Sequence, residues 1–271
     1  LFLYIYLIGD IMNFKIGDLV TRNSYNNDIV FKIINISDSI AYLKGTNIRL
    51  YADSKLDDLK IYDKQDIDDF ADSIEEEHLD RDSFFYLPAK LLHLDSDESY
   101  INKCLNYYKR NKLQAVGKLV SEEELPNKII KFLKEYSPDI VIITGHDSYF
   151  SKKNDKNNLD NYRNSKYFCE AVSKARNYEK NHDKLVIIAG ACQSNYEALI
   201  KSGADFASSP KRVNIHALDP AIIATTIALT DKSKPIDLIS LLNKTKYGSN
   251  GMGGLMGNGL MYVGYPRWLM Q

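Results

Sequence analysis

The chain of 271 residues lacks the features that mark several large classes of protein. It has three cysteines, too few for a disulfide framework, so we expect free thiols and a reducing compartment. Its N-terminal apolar run, Leu1 to Ile8, is shorter than the ~20 residues that cross a bilayer. Its net charge of −1 argues against a broadly basic surface that binds nucleic acid. We therefore expect neither a membrane span nor a nucleic-acid partner.

Cofactor motifs are also missing. The chain has no Walker A sequence, and half of its 14 glycines lie between Gly248 and Gly264 in an order that does not match G-x-G-x-x-G. We expect no nucleotide and no other cofactor, and we interpret the glycine-rich tail as a flexible loop before a short final strand at 260–264. What remains is a composition of 44% hydrophobic and 26% charged residues, which is ordinary for one or two globular domains.

The N-terminus contains an apolar segment before the first methionine, Met12. This segment has no basic start and no small-residue cleavage site, so it is a poor signal peptide. We expect residues 1–11 to be a non-native extension upstream of the true start. The alternative is a short peptide that tethers the protein to a membrane or docks on a partner.

Residues 12–62 predict a small β-barrel of the SH3-like kind with four or five short strands. Four short segments rich in Val, Ile and Tyr are separated by turn residues, as in GDLVTR, IVFKIINI, IAYLKG and NIRLYA. Such barrels bind peptides or proteins, or they cap a larger domain. Residues 63–82 are dominated by Asp and Glu and predict an acidic linker, with one possible helical stripe at Ile67, Phe70 and Ile74.

Residues 83–271 predict an α/β domain. Apolar strands alternate with amphipathic helices, a pattern typical of a parallel sheet flanked by helices. Ser121 followed by Glu124 suggests a capping box at one helix start, and Gly203 suggests the end of another. We expect strands at 85–95, 113–120, 139–145, 184–190 and 204–209, and helices at 98–111, 121–136, 164–181, 193–202 and 220–229.

Two of these strands end in residues with catalytic chemistry. The strand at 139–144 continues into Gly145, His146 and Asp147, and the strand at 185–189 continues through Gly190 and Ala191 into Cys192 and Gln193. The carboxyl ends of parallel strands form the ligand-binding rim of such a sheet. A histidine favours the thiolate of a nearby cysteine, and so does the helix start that we expect directly after Cys192.

Each of these residues also has an ordinary structural interpretation. A single His at a strand end is often a hydrogen-bonded structural residue, a single Cys is often buried packing, and Asp147 suits a turn. The two remaining thiols, Cys104 and Cys169, lie in predicted helices and suit the core. No second His or Cys stands at metal-ligand spacing from His146 or Cys192, so we expect no metal.

The layout resembles that of the caspase–hemoglobinase-like cysteine peptidases, in which one apolar strand ends at a His beside Gly and another at Ala-Cys. The order differs, because Gly145 here precedes the His and Asp147 follows it. Nearly the whole chain from Met12 also resembles the YabG family of sporulation proteases. That resemblance rests on MNFKIGDLVTRNSY, LLHLDSDESYINKCLNYYK, ITGHDSY, IAGACQSNYEALIKSGADFASSPKRVNIHALDP and the GGLMGNG tail.

The resemblance implies a cysteine endopeptidase that processes spore coat, morphogenetic or germination proproteins. It would act in the cytoplasm of the sporulating cell, in association with the developing spore or its coat, and a preference for basic residues is a further family-level expectation. We expect Cys192 to be the nucleophile and His146 the general acid and base. The other candidates are Asp147, Gly145 and Gln193 for orientation or the oxyanion hole, and Ser208, Ser209 and His216 for the substrate groove.

Two other functions are compatible with the sequence. One is a different cysteine hydrolase such as a glutamine amidotransferase, although the elbow G-x-C-x-G of that class has Ser194 in place of its last glycine. The other is a non-catalytic coat scaffold whose β-module binds partners.

Overall fold

The computed structural model describes residues 14–63, 70, 73, 83–150 and 155–267. The chain divides into two compact units, Leu1–Ile67 and Asp68–Gln271. The expected extension at 1–11 lies outside the described residues, as does nearly all of the expected acidic linker at 63–82. The domain limits deduced from the sequence therefore stay predictions.

The first unit contains a five-stranded antiparallel sheet in the order β4-β3-β2-β1-β5. Alternate residues of its strands point inward, because successive side chains on a strand face opposite sides. The core that results consists of Val20, Phe31, Ile33, Ala41, Leu43 and Leu59. The expectation of four or five short strands is confirmed, and their bounds are β1 Leu19–Arg22, β2 Phe31–Ser37, β3 Ile40–Gly45, β4 Tyr51–Lys55 and β5 Leu59–Ile61.

The second unit contains a six-stranded sheet in the order β12-β11-β10-β9-β7-β8, together with a separate β6–β13 pair. Five neighbouring strands of this sheet are mutually parallel, namely β11, β10, β9, β7 and β8. The sixth, β12, is antiparallel to β11. The prediction of a parallel α/β sheet is thus confirmed. The strand bounds are β6 Phe85–Leu87, β7 Leu91–Asp95, β8 Ala115–Leu119, β9 Ile140–Ile143, β10 Val186–Ala189, β11 Phe206–Ser208, β12 Met252–Gly254 and β13 Tyr262–Gly264.

Helices flank this sheet on both faces. Leu92 and Leu94 of β7 belong to one buried cluster with residues of α2 and α3. His93, which lies between them on the strand, faces the opposite side and bonds to Tyr108 of α1. Among the described residues no helix is long and apolar enough to cross a membrane. The helix bounds are α1 Glu98–Arg110, α2 Leu125–Tyr136, α3 Ser165–Tyr178, α4 Tyr196–Lys201, α5 Asp219–Leu229 and α6 Leu238–Asn243.

Two expectations about strands were wrong in detail. The segment 85–95 is not one strand, because Pro88 interrupts it and β6 pairs with β13 instead of joining the central sheet. The glycine-rich tail is not simply a flexible loop, since its residues Met252–Gly254 form the edge strand β12. The glycines suit this place because a Cβ on Gly254 would lie 2.4 Å from the ring of Phe206.

Helix α5 is buried on nearly all sides, and its buried threonine, Thr225, allows a test of how this helix packs. Thr225 is 1% exposed, and its Oγ1 has no hydrogen-bond partner in the part of the chain that the structure describes. A buried hydroxyl without a partner is destabilising, and valine has nearly the same shape. We expect Thr225→Val to raise the free energy of unfolding by about 1 kcal/mol in urea denaturation. A loss of stability would show that the hydroxyl is satisfied.

Candidate active site

The loops that carry His146 and Cys192 leave neighbouring parallel strands at the same rim of the sheet. Ile143 at the end of β9 stands in register with Ala189 at the end of β10. Gly190 N–H donates to the Ile143 carbonyl at 3.0 Å, and further out Tyr149 N–H donates to Gln193 Oε1 at 3.2 Å. The two loops predicted to form one site are therefore bonded to each other.

His146 is fixed through its backbone and through its ring. Its N–H donates to Glu122 Oε1 at 2.7 Å, and its carbonyl accepts from Asn164 Nδ2 at 2.8 Å. The ring is largely buried beside Tyr100, with 5.7 Å between ring centroids, and its Nε2 lies 3.1 Å from Asp97 Oδ2. This contact holds the imidazole in one orientation.

Asp97 was missed by the sequence analysis. It follows β7, the strand beside β9, and it caps α1 through Oδ1, which accepts from Ser99 N–H at 3.0 Å and Tyr100 N–H at 3.4 Å. Its Oδ2 is the atom that faces His146. The available signal was a third apolar strand that ends in two aspartates, Asp95 and Asp97, at the same predicted rim.

Asp147 joins the two loops and does not contact the ring of His146. Its buried carboxylate accepts from Asn164 N–H at 2.8 Å, Ser165 Oγ at 2.5 Å, Ser194 Oγ at 2.9 Å and Ser148 N–H at 2.9 Å. Burial raises the pKa of this carboxyl group, and these hydrogen bonds oppose the rise. The carboxylate that orients the imidazole is thus Asp97, which corrects the ring-orienting role considered for Asp147.

Cys192 is completely buried, and the loop after β11 covers its sulfur. The Sγ atom lies 3.2 Å from Ile215 N and 3.8 Å from Ile215 O. An N–H directed at sulfur stabilises negative charge there, as a thiolate requires. In this conformation the backbone of Ile215 covers the sulfur.

The helix expected to start at Gln193, directly after Cys192, starts three residues later. Asn195 caps α4 by accepting from Ala198 N–H at 3.1 Å, so the helix begins at Tyr196. Cys192 instead lies in a tight turn closed by Ser194 Oγ, which accepts from Ala191 N–H at 2.9 Å. The expected help from a helix N-terminus is therefore absent, and the nearby polar contact comes from Ile215.

Gln193 and Gly145 have clear structural roles. Gln193 has a left-handed φ of 59° and bridges two segments, because its Nε2 lies 3.3 Å from Asn214 Oδ1 while its Oε1 accepts from Tyr149. A Cβ on Gly145 would lie 2.5 Å from Glu122 Oε1, so only glycine allows Glu122 to bond the His146 backbone closely. Oxyanion roles for these residues stay predictions.

The three residues expected in the substrate groove have buried side chains. Ser208 Oγ donates to the Ala191 carbonyl at 2.7 Å, and Ser209 Oγ donates to the Val213 carbonyl at 2.7 Å. His216 is 1% exposed, and its Nδ1 accepts from Leu218 N–H at 3.1 Å. They hold the cysteine turn and the loop above it, so none lines an open groove in this conformation.

The other two thiols suit packing, as the sequence predicts. Cys104 and Cys169 are buried in α1 and α3. Burial raises the pKa of the Cys169 thiol to about 11, which keeps it protonated at neutral pH. Within the described ranges, no group of three or more His, Cys, Asp or Glu side chains is arranged to hold a metal ion.

Comparison with known proteins identifies the class. A family model described as YabG peptidase U57 matches residues 15–81 and 70–266. The chain is also 39% identical over 286 residues to the sporulation-specific protease YabG of Bacillus subtilis (strain 168), covering 94% of this chain and 99% of that protein. The chain thus falls in the class of peptidases. The chain is a member of the YabG peptidase family, and this membership supports a protease role in sporulation.

The bonds to Asp147 predict a large effect of a minimal substitution. In Asp147→Asn, the NH₂ of the side-chain amide replaces one acceptor oxygen and faces N–H and O–H groups that are themselves donors. We expect the free energy of unfolding to fall by about 1–3 kcal/mol, because a buried group loses its partners. The same substitution at exposed Asp160 is the control and should change stability by less than about 0.5 kcal/mol in urea denaturation. Equal effects at both positions would contradict the role of Asp147.

Proposed function

We propose that the protein is a cysteine endopeptidase in which Cys192 is the nucleophile and His146 the general acid and base. The observation that carries this proposal is the shared rim of β7, β9 and β10. There the loops of His146 and Cys192 are bonded to each other, and Asp97 holds the imidazole at 3.1 Å. Nucleophilic catalysis by cysteine needs an oriented base near the thiol, and this rim brings an oriented imidazole and the loop of Cys192 together.

The Asp97 contact assigns the two nitrogens of His146. A carboxylate can only accept, so Nε2 carries the proton that points at Asp97. Nδ1 is then the nitrogen that exchanges protons with the reacting groups. It takes the proton of the Cys192 thiol as the sulfur attacks the scissile carbonyl, and it returns that proton to the leaving amine. Water then cleaves the thioester, with His146 as its base.

The remaining candidates fit the surroundings of this reaction. We assign the oxyanion hole to the backbone N–H of Cys192 and one N–H of the His146 loop, where such donors contribute about 3 kcal/mol each. Substrate entry requires displacement of the loop after β11, because Ile215 covers the sulfur. That loop follows Ser208, the last residue of β11, and carries Ser209 and His216, so we place the substrate groove there.

The order of the central strands supports a caspase–hemoglobinase-like fold for the second unit, since His146 and Cys192 follow adjacent parallel strands. An SH3-like barrel is our proposal for the first unit. The substrates that we propose are spore coat, morphogenetic or germination proproteins of the sporulating cell, with the enzyme in its cytoplasm and associated with the developing spore. The support is membership of a family whose Bacillus subtilis member is named a sporulation-specific protease.

Proteolysis can be tested with a spore-coat protein extract and mass spectrometry of new N-termini. We expect wild-type protein to generate new termini and Cys192→Ala to lower the rate roughly 10³-fold or more, because the nucleophile is lost. Cys104→Ala and Cys169→Ala are controls that remove buried thiols elsewhere, and they should change stability only. Ammonia release from glutamine without new termini would indicate an amidase, and neither product would indicate a scaffold.

His146 and Asp97 allow a sharper test of the same assignment. We expect His146→Ala to be nearly as damaging as Cys192→Ala and the double variant little worse, because residues that act as a unit are not additive. Asp97→Asn keeps a good helix cap but removes the acceptor from His146, so cleavage should fall about 10- to 100-fold. Thermal melting should show that His146→Ala and Asp97→Asn are both folded. Full activity in Asp97→Asn would contradict the orienting contact.

A further inference from the structure

A chain of four buried polar side chains lies under the loop of His146, on the α1 face of the central sheet. Tyr108 Oη lies 2.9 Å from His93 Nδ1, and His93 Nε2 lies 2.8 Å from Thr144 Oγ1. Thr144 Oγ1 in turn lies 2.6 Å from Asp95 Oδ2. All four residues are 0% exposed, so the chain is shielded from solvent. None of them has a part in the reaction described above.

The chemistry of these groups gives the chain one direction. A carboxylate at Asp95 only accepts, so Thr144 uses its single hydroxyl proton on Asp95. Thr144 must then accept from His93 Nε2–H, and in the neutral imidazole this leaves Nδ1 as an acceptor. The Tyr108 hydroxyl supplies the donor to Nδ1. Each hydroxyl and ring N–H thus donates once, and each bond polarises the next.

This chain reaches both sides of the contact between Asp97 and His146. The second oxygen of Asp95, Oδ1, accepts from the Asp97 N–H at 2.9 Å and fixes the residue whose carboxylate holds the imidazole. Thr144 precedes His146 by two residues, and its own N–H donates to the Leu94 carbonyl at 2.9 Å. A buried carboxylate that loses a donor is strongly destabilised, so removal of the Thr144 hydroxyl would displace Asp95 and loosen Asp97.

We propose that Tyr108, His93, Thr144 and Asp95 are positioning residues that set the orientation of His146 through Asp97. The proposal rests on the proposed function, because it gives the chain a role in the chemistry assigned to His146. None of the four is assigned to a reacting atom in the proposed mechanism. Their effect should therefore appear in the turnover rate and in the state of the His146 ring, whereas a purely structural role would appear in stability alone.

Two variants of Thr144 separate these roles. Thr144→Val keeps the shape but removes the hydroxyl, and Thr144→Ser keeps the hydroxyl. With a fluorogenic peptide built on a mapped cleavage site, we expect Thr144→Val to lower kcat about 10- to 100-fold with little change in KM, because a small misplacement of a catalytic group is costly. Thr144→Ser should recover most of the turnover. Thr225→Val is the matched control, a buried threonine outside the chain whose replacement should leave kcat unchanged.

A second readout needs no substrate. In protein labelled with ¹⁵N-histidine, the Nε2–H signals of His146 and His93 can be assigned by comparison with His146→Gln and His93→Gln. We expect both ring N–H signals to be protected from exchange in wild type and Thr144→Ser, and exchange of the His146 signal to be faster in Thr144→Val. Tyr108→Phe removes the hydroxyl that donates to His93 Nδ1, so it should weaken the His93 signal and lower kcat by a smaller factor than Thr144→Val. It also provides a test if Thr144→Val fails to fold.

The outcomes distinguish the two hypotheses. The positioning role is overturned if Thr144→Val folds and keeps wild-type kcat. If that variant does not fold, a folded Tyr108→Phe with wild-type kcat overturns the role. An unchanged His146 ring signal in folded Thr144→Val overturns it as well. If His93 carries its proton on Nδ1, the direction of the chain is overturned. If wild-type protein cleaves nothing while the His146 signal still responds to Thr144→Val, the proposed function fails but the link between the chain and His146 stands.

Discussion

The structure of the second unit depends on the parallel pairing of β7, β9 and β10, three strands that are covered by helices on both faces. Their residues are almost entirely buried, so side chains along the strands must be apolar or fully hydrogen-bonded. The carboxyl ends are where the chain leaves the sheet and polar groups can meet. In-register pairing brings those ends to one rim. The loops of His146 and Cys192 meet there because the two strands from which they emerge lie about 4.8 Å apart, the usual spacing of paired strands.

The polar groups at this rim are rigid because burial makes any unpaired member costly. Asp147 accepts from four donors on three segments, and Asp97 divides its two oxygens between a helix start and an imidazole. Each carboxylate therefore links chain segments that are distant in sequence. Such links fix a loop more firmly than apolar packing alone, since a carboxylate accepts hydrogen bonds only in limited directions, and firmly held loops are what a catalytic His and Cys require.

The sequence was sufficient to place the loops of His146 and Cys192 at one rim of the sheet, because both follow short, wholly apolar segments that are characteristic of buried parallel strands. It was insufficient for Asp97, because an Asp before a helix is fully explained as a cap and nothing local indicates that its second oxygen faces a histidine 49 residues away. The sequence also failed to predict strand β12, because the consecutive glycines Gly253 and Gly254 suggest a loop. There the glycines permit close packing, since a Cβ on Gly253 would lie 2.8 Å from Tyr196 Oη.

The covered sulfur of Cys192 connects the resting conformation to the chemistry. Ile215 N lies 3.2 Å from the sulfur and Ile215 O lies 3.8 Å from it, so the backbone of this residue covers the Cys192 side chain. The loop that carries Ile215 is itself anchored by Arg212, whose Nε donates to Tyr162 Oη at 2.6 Å. The loop is also held where Gln193 N–H donates to the Val213 carbonyl at 3.1 Å, so a molecule that displaced Ile215 would need to form comparable backbone contacts. An extended polypeptide offers such contacts along its length and a small amide does not, which favours an endopeptidase over an amidase.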